Sequence, residues 1–149
     1  MRVFHRCAGL AFLAVLAACE ISLAQTNAET ASQWGLLGTW KLDCSKPASR
    51  SDGDLQYVVE GGKLVHKREF GDVRDSSSVM SAIAKPDGSL ELVVNFVSLS
   101  QTRQYAFMKG GDGRIQTTFN RNIDTDEFTI KNRKFTANDN PTPWLTRCR

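Results

Sequence analysis

The chain carries two histidines, His5 and His66, and four cysteines, Cys7, Cys19, Cys44 and Cys148. These residues bound its chemistry. A Ser-His-Asp relay would have to run through a histidine, and serines and aspartates are plentiful. The Gly-x-Ser-x-Gly turn that presents such a serine is absent. A zinc centre needs three or four ligands at suitable spacing, which one histidine outside the leader does not supply. No Cys-x-x-Cys pair, phosphate loop or dinucleotide fingerprint is present. Asp124 and Asp126 lie in a turn, where solvation is expected rather than acid–base work. The residues therefore imply no enzyme, no metal and no cofactor.

More informative are polar side chains that share strand faces with apolar ones. Leu64, His66, Arg68 and Phe70 alternate onto one face. Arg103, Tyr105 and Phe107 share another, and Ile115, Phe119, Arg121 and Ile123 a third. If the apolar members point inward, the polar members follow. A buried arginine is costly unless paired or hydrogen-bonded. Inward His66, Arg68, Tyr105 and Arg121 would therefore mean a solvated cavity or a charged ligand. A single bulge would instead turn them to water. Both readings stay open.

The N-terminus sets the compartment. Arg2 and Arg6 precede an uncharged apolar run over 8–18, too short to span a bilayer. This is the form of a secretory leader. Cleavage after Ala24, with Ser22 and Ala24 at the small-residue positions, would give a soluble product. Leu16-Ala17-Ala18-Cys19 resembles the bacterial lipobox, and that resemblance implies a lipid-anchored protein beginning at Cys19. The expectation is export: periplasmic or secreted, or alternatively lipid-anchored to the bacterial envelope. Residues 1–24 are then leader (1–18 in the lipoprotein form), 25–35 a polar tail or short helix, and 36–149 one folded domain.

About 125 residues remain after cleavage at Ala24, enough for one domain with a real core. The formal charge of +3 falls to about +2 once Arg2, Arg6 and Glu20 leave. Nucleic-acid binding needs a strong basic stripe, which is lacking. Cys44 and Cys148 are the cysteines left for the folded domain. In an oxidising compartment such an isolated pair is most simply a disulfide.

Strands are predicted over 37–42, 55–60, 63–70, 73–84, 89–99, 101–109, 114–123 and 128–136. Gly61-Gly62, Lys85-Pro86-Asp87-Gly88 and Gly110-Gly111-Asp112-Gly113 are the strongest turns between them. A bulge is expected at 76–78. Short connections make neighbouring strands antiparallel. About eight such strands in meander order close best into an up-and-down β-barrel, which leaves no edges, with a two-sheet sandwich as the alternative. The fold class is all-β, with one disulfide and a short N-terminal tail or helix capped by Asn27. Strand 89–99 is apolar on both faces, so its outer set needs cover from the N-terminal segment with Trp34 or from a second copy. Lys131, Arg133 and Lys134 read as a solvated edge guard.

Gly38-Thr39-Trp40 at the first strand, followed by an eight-strand meander, resembles the lipocalin and calycin superfamily. The resemblance implies that Trp40 plugs the closed end of the barrel. It implies a basic residue on that ring, Arg147 or Arg133, through cation–π packing. A late cysteine tied back toward the first strand is similar to that family too. In fatty-acid-binding calycins interior basic and tyrosine residues hold a carboxylate, which gives His66, Arg68, Tyr105 and Arg121 an implied role.

The leading expectation is an exported barrel that binds a small apolar or amphipathic molecule in its lumen, as monomer or homodimer. It would touch a membrane only through a lipid anchor. Two alternatives stand beside it: a protein-interaction module such as an inhibitor of an exported protease, using its N-terminal segment, and a structural envelope lipoprotein with a filled core. Denatured mass spectrometry of the protein from its host separates the two processing forms. The soluble form weighs as residues 25–149, whereas the anchored form carries a diacyl mass on Cys19 and loses membrane association in Cys19→Ala.

Overall fold

The computed structural model describes residues 25–148. The leader, Cys19 and both cleavage sites lie outside the described residues. One helix, α1 (Asn27–Trp34), precedes ten strands: β1 (Gly38–Lys41), β2 (Asp54–Glu60), β3 (Lys63–Glu69), β4 (Arg74–Ala84), β5 (Leu90–Phe96), β6 (Gln101–Lys109), β7 (Ile115–Asn122), β8 (Glu127–Lys131), β9 (Lys134–Phe135) and β10 (Trp144–Arg147). Strands β1 to β7 form an antiparallel meander, and β10 pairs with both β7 and β1. Eight strands thus close into a barrel, while β8 and β9 branch off β7 as a hairpin outside the ring. The glycine pair after β2 adopts φ of +56° and +76°, the mirror-image turn that suits the twist of paired strands.

The last part of the chain departs from expectation. The stretch predicted as one strand, 128–136, is broken by a reversal at Asn132 and Arg133, both at positive φ (52° and 64°). The Arg133 backbone N–H donates to the Thr118 carbonyl at 3.0 Å, which holds this turn against β7. The eighth strand of the ring is instead Trp144–Arg147, only four residues long. Its alternation is too brief to stand out from the polar, proline-bearing segment before it.

Three bulges set which side chains face inward. On β4 the register shifts between Val79 and Ser81, later than the expected 76–78. The shift leaves Met80 without a partner on β5. The Asn27 amide fills that gap: its Nδ2 donates to the Met80 carbonyl at 3.0 Å, and its Oδ1 accepts from the Ala82 N–H at 3.0 Å. Asn27 is therefore a brace between helix and barrel, not a helix cap. The cap is Thr26, whose hydroxyl accepts from the Glu29 N–H while the Glu29 carboxylate accepts from the Thr26 N–H. The other two bulges lie at Thr118, between the β6 and β7 registers, and at Thr129, between β7 and β8.

The core occupies the barrel and the end that α1 covers. Leu90, Leu92, Val94 and Phe96 are its inward row on β5, all fully buried. The strand stops there. Val97 and Leu99 lie in a 3-10 turn and are exposed, so the outer apolar run of β5 itself shrinks to Val93. Helix α1 packs on β4 and β3. Trp40 is buried at 1% exposure, its indole N–H donating to the Leu36 carbonyl at 2.7 Å. Neither Arg147 nor Arg133 packs on its ring. The cation at this end is Lys109, whose Nζ lies 4.5 Å from the centre of the Trp34 ring and donates to the Trp34 carbonyl. Lys131, Arg133 and Lys134 are exposed on the outer hairpin.

Cys44 and Cys148 are joined, with Cα atoms 5.4 Å apart across 104 residues of chain. The bond ties the loop after β1 to the residue after β10, where the ring closes. Loss of so long a crosslink enlarges the unfolded ensemble. The double variant Cys44→Ser, Cys148→Ser is expected to lose about 2–4 kcal/mol in denaturant unfolding.

Candidate functional site

Antiparallel pairing places cross-strand partners on the same face, so the lumen is read from the registers. His66 on β3 lies between Tyr57 on β2 and Ser77 on β4. One pair along, Arg68 lies between Leu55 and Asp75. Tyr105 and Phe107 on β6 face inward opposite Leu92 and Leu90. A cavity of about 290 Å³ opens among these side chains. Tyr57, His66, Arg68, Tyr105, Phe107 and Thr117 form its walls. Leu42, Gly53, Phe70, Ile130, Phe135 and Pro143 also border it. Gly53 is required there, because a Cβ would come within 2.2 Å of the Phe70 ring.

The walls are aromatic, with polar groups inserted between rings. His66 stacks on Tyr57 at 4.4 Å between centroids. It meets Phe96 and Tyr105 edge-on at 5.9 and 6.3 Å. Tyr105 and Phe107 lie parallel at 6.1 Å. The His66 Nδ1 sits 3.4 Å from the Gln56 carbonyl. A carbonyl can only accept, so Nδ1 carries the proton and Nε2 is left as an acceptor. Among the described residues Nε2 has no partner. Among the described residues no carboxylate holds this imidazole and no hydrogen bond joins it to Ser77, so His66 and Ser77 do not form a Ser-His-Asp relay with them. The Ser77 hydroxyl is buried with no partner among the described residues.

Charge in the lumen is compensated. Arg68 Nε donates to Asp75 Oδ1 at 2.9 Å, and Nη2 donates to the second carboxylate oxygen, a bidentate pair. The guanidinium lies 4.1 Å over the Phe96 ring. The hydrogen bond from Arg68 holds the Asp75 carboxyl below its ordinary value. Burial, with the nearby Arg68 charge, pushes His66 down to about 3. Burial raises Tyr57 and Tyr105 above the ordinary phenol value. At neutral pH the imidazole and both phenols are uncharged.

Of the four residues singled out in the sequence, the structure brings His66, Arg68 and Tyr105 together on the cavity wall. Arg121 is elsewhere. Its register partner is Gln104, with which it hydrogen-bonds at 2.9 Å, and Gln104 lies on the opposite face of β6 from Tyr105. The cause is the bulge at Thr118. Ile115 and Thr117 point inward before it, and Phe119 and Arg121 point outward after it, leaving Asn120 and Asn122 inside. Arg121 lies outside against Phe119 and Phe128 and pairs with Asp126 at 3.0 Å. Asp75 was not foreseen. Alternation on β4 puts Asp75, Ser77 and Val79 on one face, but the polar run around them hid the pattern.

No protein-family model, no curated protein and no solved structure matches the chain.

The buried imidazole ties stability to pH. Folded His66 stays neutral down to about pH 3, whereas unfolded His66 takes up a proton below its ordinary 6.5. Its full contribution is thus present above pH 6.5 and is lost as pH falls toward 3. Asp75 weakens the fold chiefly around and below its ordinary 3.8, so a comparison made at higher pH reads His66. Denaturant unfolding between about pH 7 and about pH 5 is expected to lose up to roughly 1.4 kcal/mol per pH unit below 6.5. His66→Phe should flatten this slope.

Proposed function

We propose that this protein is an exported barrel of lipocalin or calycin type that carries a small apolar or amphipathic molecule in its lumen. The observation that carries the reading is the cavity itself. About 290 Å³ of space lies among Tyr57, His66, Arg68, Tyr105 and Phe107. Closed barrels of this size fill their interior with side chains unless they hold a ligand. Unfilled volume beside aromatic surface forfeits dispersion contacts, which a ligand restores. The eight-strand ring, the buried Trp40 after Gly38, and the disulfide near the ring's seam add support for the family likeness. The disulfide also suits an oxidising compartment.

The alternatives draw less support. A protease inhibitor that inserts its N-terminal segment needs that segment free. Here residues 27–34 are helical, and Asn27 and Trp34 hydrogen-bond them to the barrel. A structural lipoprotein with a filled core has no use for the cavity.

The test uses an uncharged hydrophobic dye, N-phenylnaphthylamine, titrated into the oxidised protein. Fluorescence enhancement with a dissociation constant of about micromolar order is expected. Thr117→Phe fills the wall from the inside and should weaken uptake about tenfold or more while leaving the unfolding midpoint near that of the parent. Uptake unchanged in a folded Thr117→Phe variant would remove the lumen as the site.

A further inference from the structure

We propose, resting on the lumen-binding reading above, that the cavity selects an uncharged aromatic ligand of about two rings bearing a hydroxyl, and discriminates against carboxylates. The family likeness points the other way, toward a carboxylate held by interior basic and tyrosine residues. The side chains on the page do not provide that.

The cation on the cavity wall is already occupied. Arg68 spends Nε and Nη2 on both oxygens of Asp75, and its flat face covers Phe96. A ligand carboxylate arriving at Arg68 would meet a neutral pair, with Asp75 close behind. The other charged lining residue, Asp52, is an anion; its carboxylate accepts from the Leu42 and Asp43 N–H groups at the rim. Arg103 shares the inner face of β6 but does not line the cavity. Its guanidinium donates to Gln101, Asn120 and Thr129. A carboxylate would therefore leave water for a cavity that offers no free cation, which is unfavourable.

What the cavity does offer is neutral. His66 presents Nε2, an acceptor without a partner among the described residues. The Tyr57 hydroxyl likewise has no hydrogen bond among the described residues and can donate or accept. A hydroxyl on the ligand matches both: it donates to Nε2 and accepts from the phenol. The ring planes of Tyr57, His66, Tyr105 and Phe107 supply stacked and edge-on partners for a flat molecule. An apolar cavity of about 150 Å³ takes up one benzene ring. A volume near 290 Å³ therefore admits about two rings.

The experiment compares naphthol with the matching naphthoate at pH 7 by calorimetry on the oxidised protein. Naphthol is uncharged at that pH and naphthoate is an anion, while the ring system is the same. Naphthol is expected to bind about tenfold tighter or more. Asp75→Asn frees the Arg68 charge and should tighten naphthoate by about tenfold while changing naphthol little. Thr117→Phe should weaken naphthol, which places it in the lumen. Naphthoate binding as tightly as naphthol would overturn the selectivity and leave the lumen reading standing. So would binding of N-phenylnaphthylamine with no binding of naphthol. A folded Asp75→Asn protein that keeps the parent preference would overturn the role given to the ion pair. If that variant does not fold, the ratio in the parent protein still decides. Failure of the dye and both probes together would overturn the lumen reading and this inference with it.

Discussion

Everything in this molecule rests on the closing of the ring by β10. A meander of seven strands has two open edges, each a row of unpaired backbone groups. The segment Trp144–Arg147 removes both, pairing Trp144 and Leu145 with Gln116 and Ile115, and Thr146 and Arg147 with Lys41 and Trp40. So short a strand has little ladder of its own. Other contacts hold it. The Cys148 N–H donates to the Thr39 carbonyl at 2.8 Å, and the disulfide follows at the same residue. Before it, the Gln116 amide donates to the Thr142 carbonyl at 2.7 Å, and the Thr142 hydroxyl donates to the Thr117 carbonyl at 2.7 Å. Thr142, Pro143 and Leu145 also line the cavity, so the seam of the barrel is one wall of the site.

The two ends of the barrel solve different problems. At the α1 end a helix, Trp34 and Trp40 fill the opening, and each indole N–H finds a carbonyl: Gly88 for Trp34 and Leu36 for Trp40. Burying a tryptophan is tolerable on that condition. Toward the other end polar groups enter the core, and those on the cavity wall are managed by neutralisation. The imidazole gives up its charge, the phenols keep their protons, and the arginine shares its charge with an aspartate. The low dielectric of the lumen enforces these choices, since an isolated charge there is far costlier than in water. The same choices decide what a ligand would meet.

Strands β2 to β7, their order and most of their turns were legible in the residues. Period-two alternation and glycine-bearing turns are local signals, and short turns force antiparallel neighbours. The Cys44–Cys148 bond followed from there being no other partner for either residue in the folded domain. Trp40, His66, Arg68 and Tyr105 fell inside because each sits in an unbroken stretch of alternation. Asn suits the cap position, so Asn27 reads as a cap, yet Thr26 and Glu29 form the reciprocal pair that wins it. The reversal at Asn132 and Arg133 was invisible because an arginine at positive φ carries no signal of its own.

What only the tertiary structure decided depends on pairing between residues far apart in the chain. Thr118 is an extra residue on β7 solely in relation to β6, and its presence moves Arg121 from the lumen to the outer face. Met80 stands unpaired solely in relation to β5, and the Asn27 amide answers it from more than fifty residues away. Trp144–Arg147 becomes a strand because two other strands leave their edges open to it. Alternation records which residues could share a face. The register of hydrogen bonds between distant strands determines which face that is, and no local pattern in the sequence contains it.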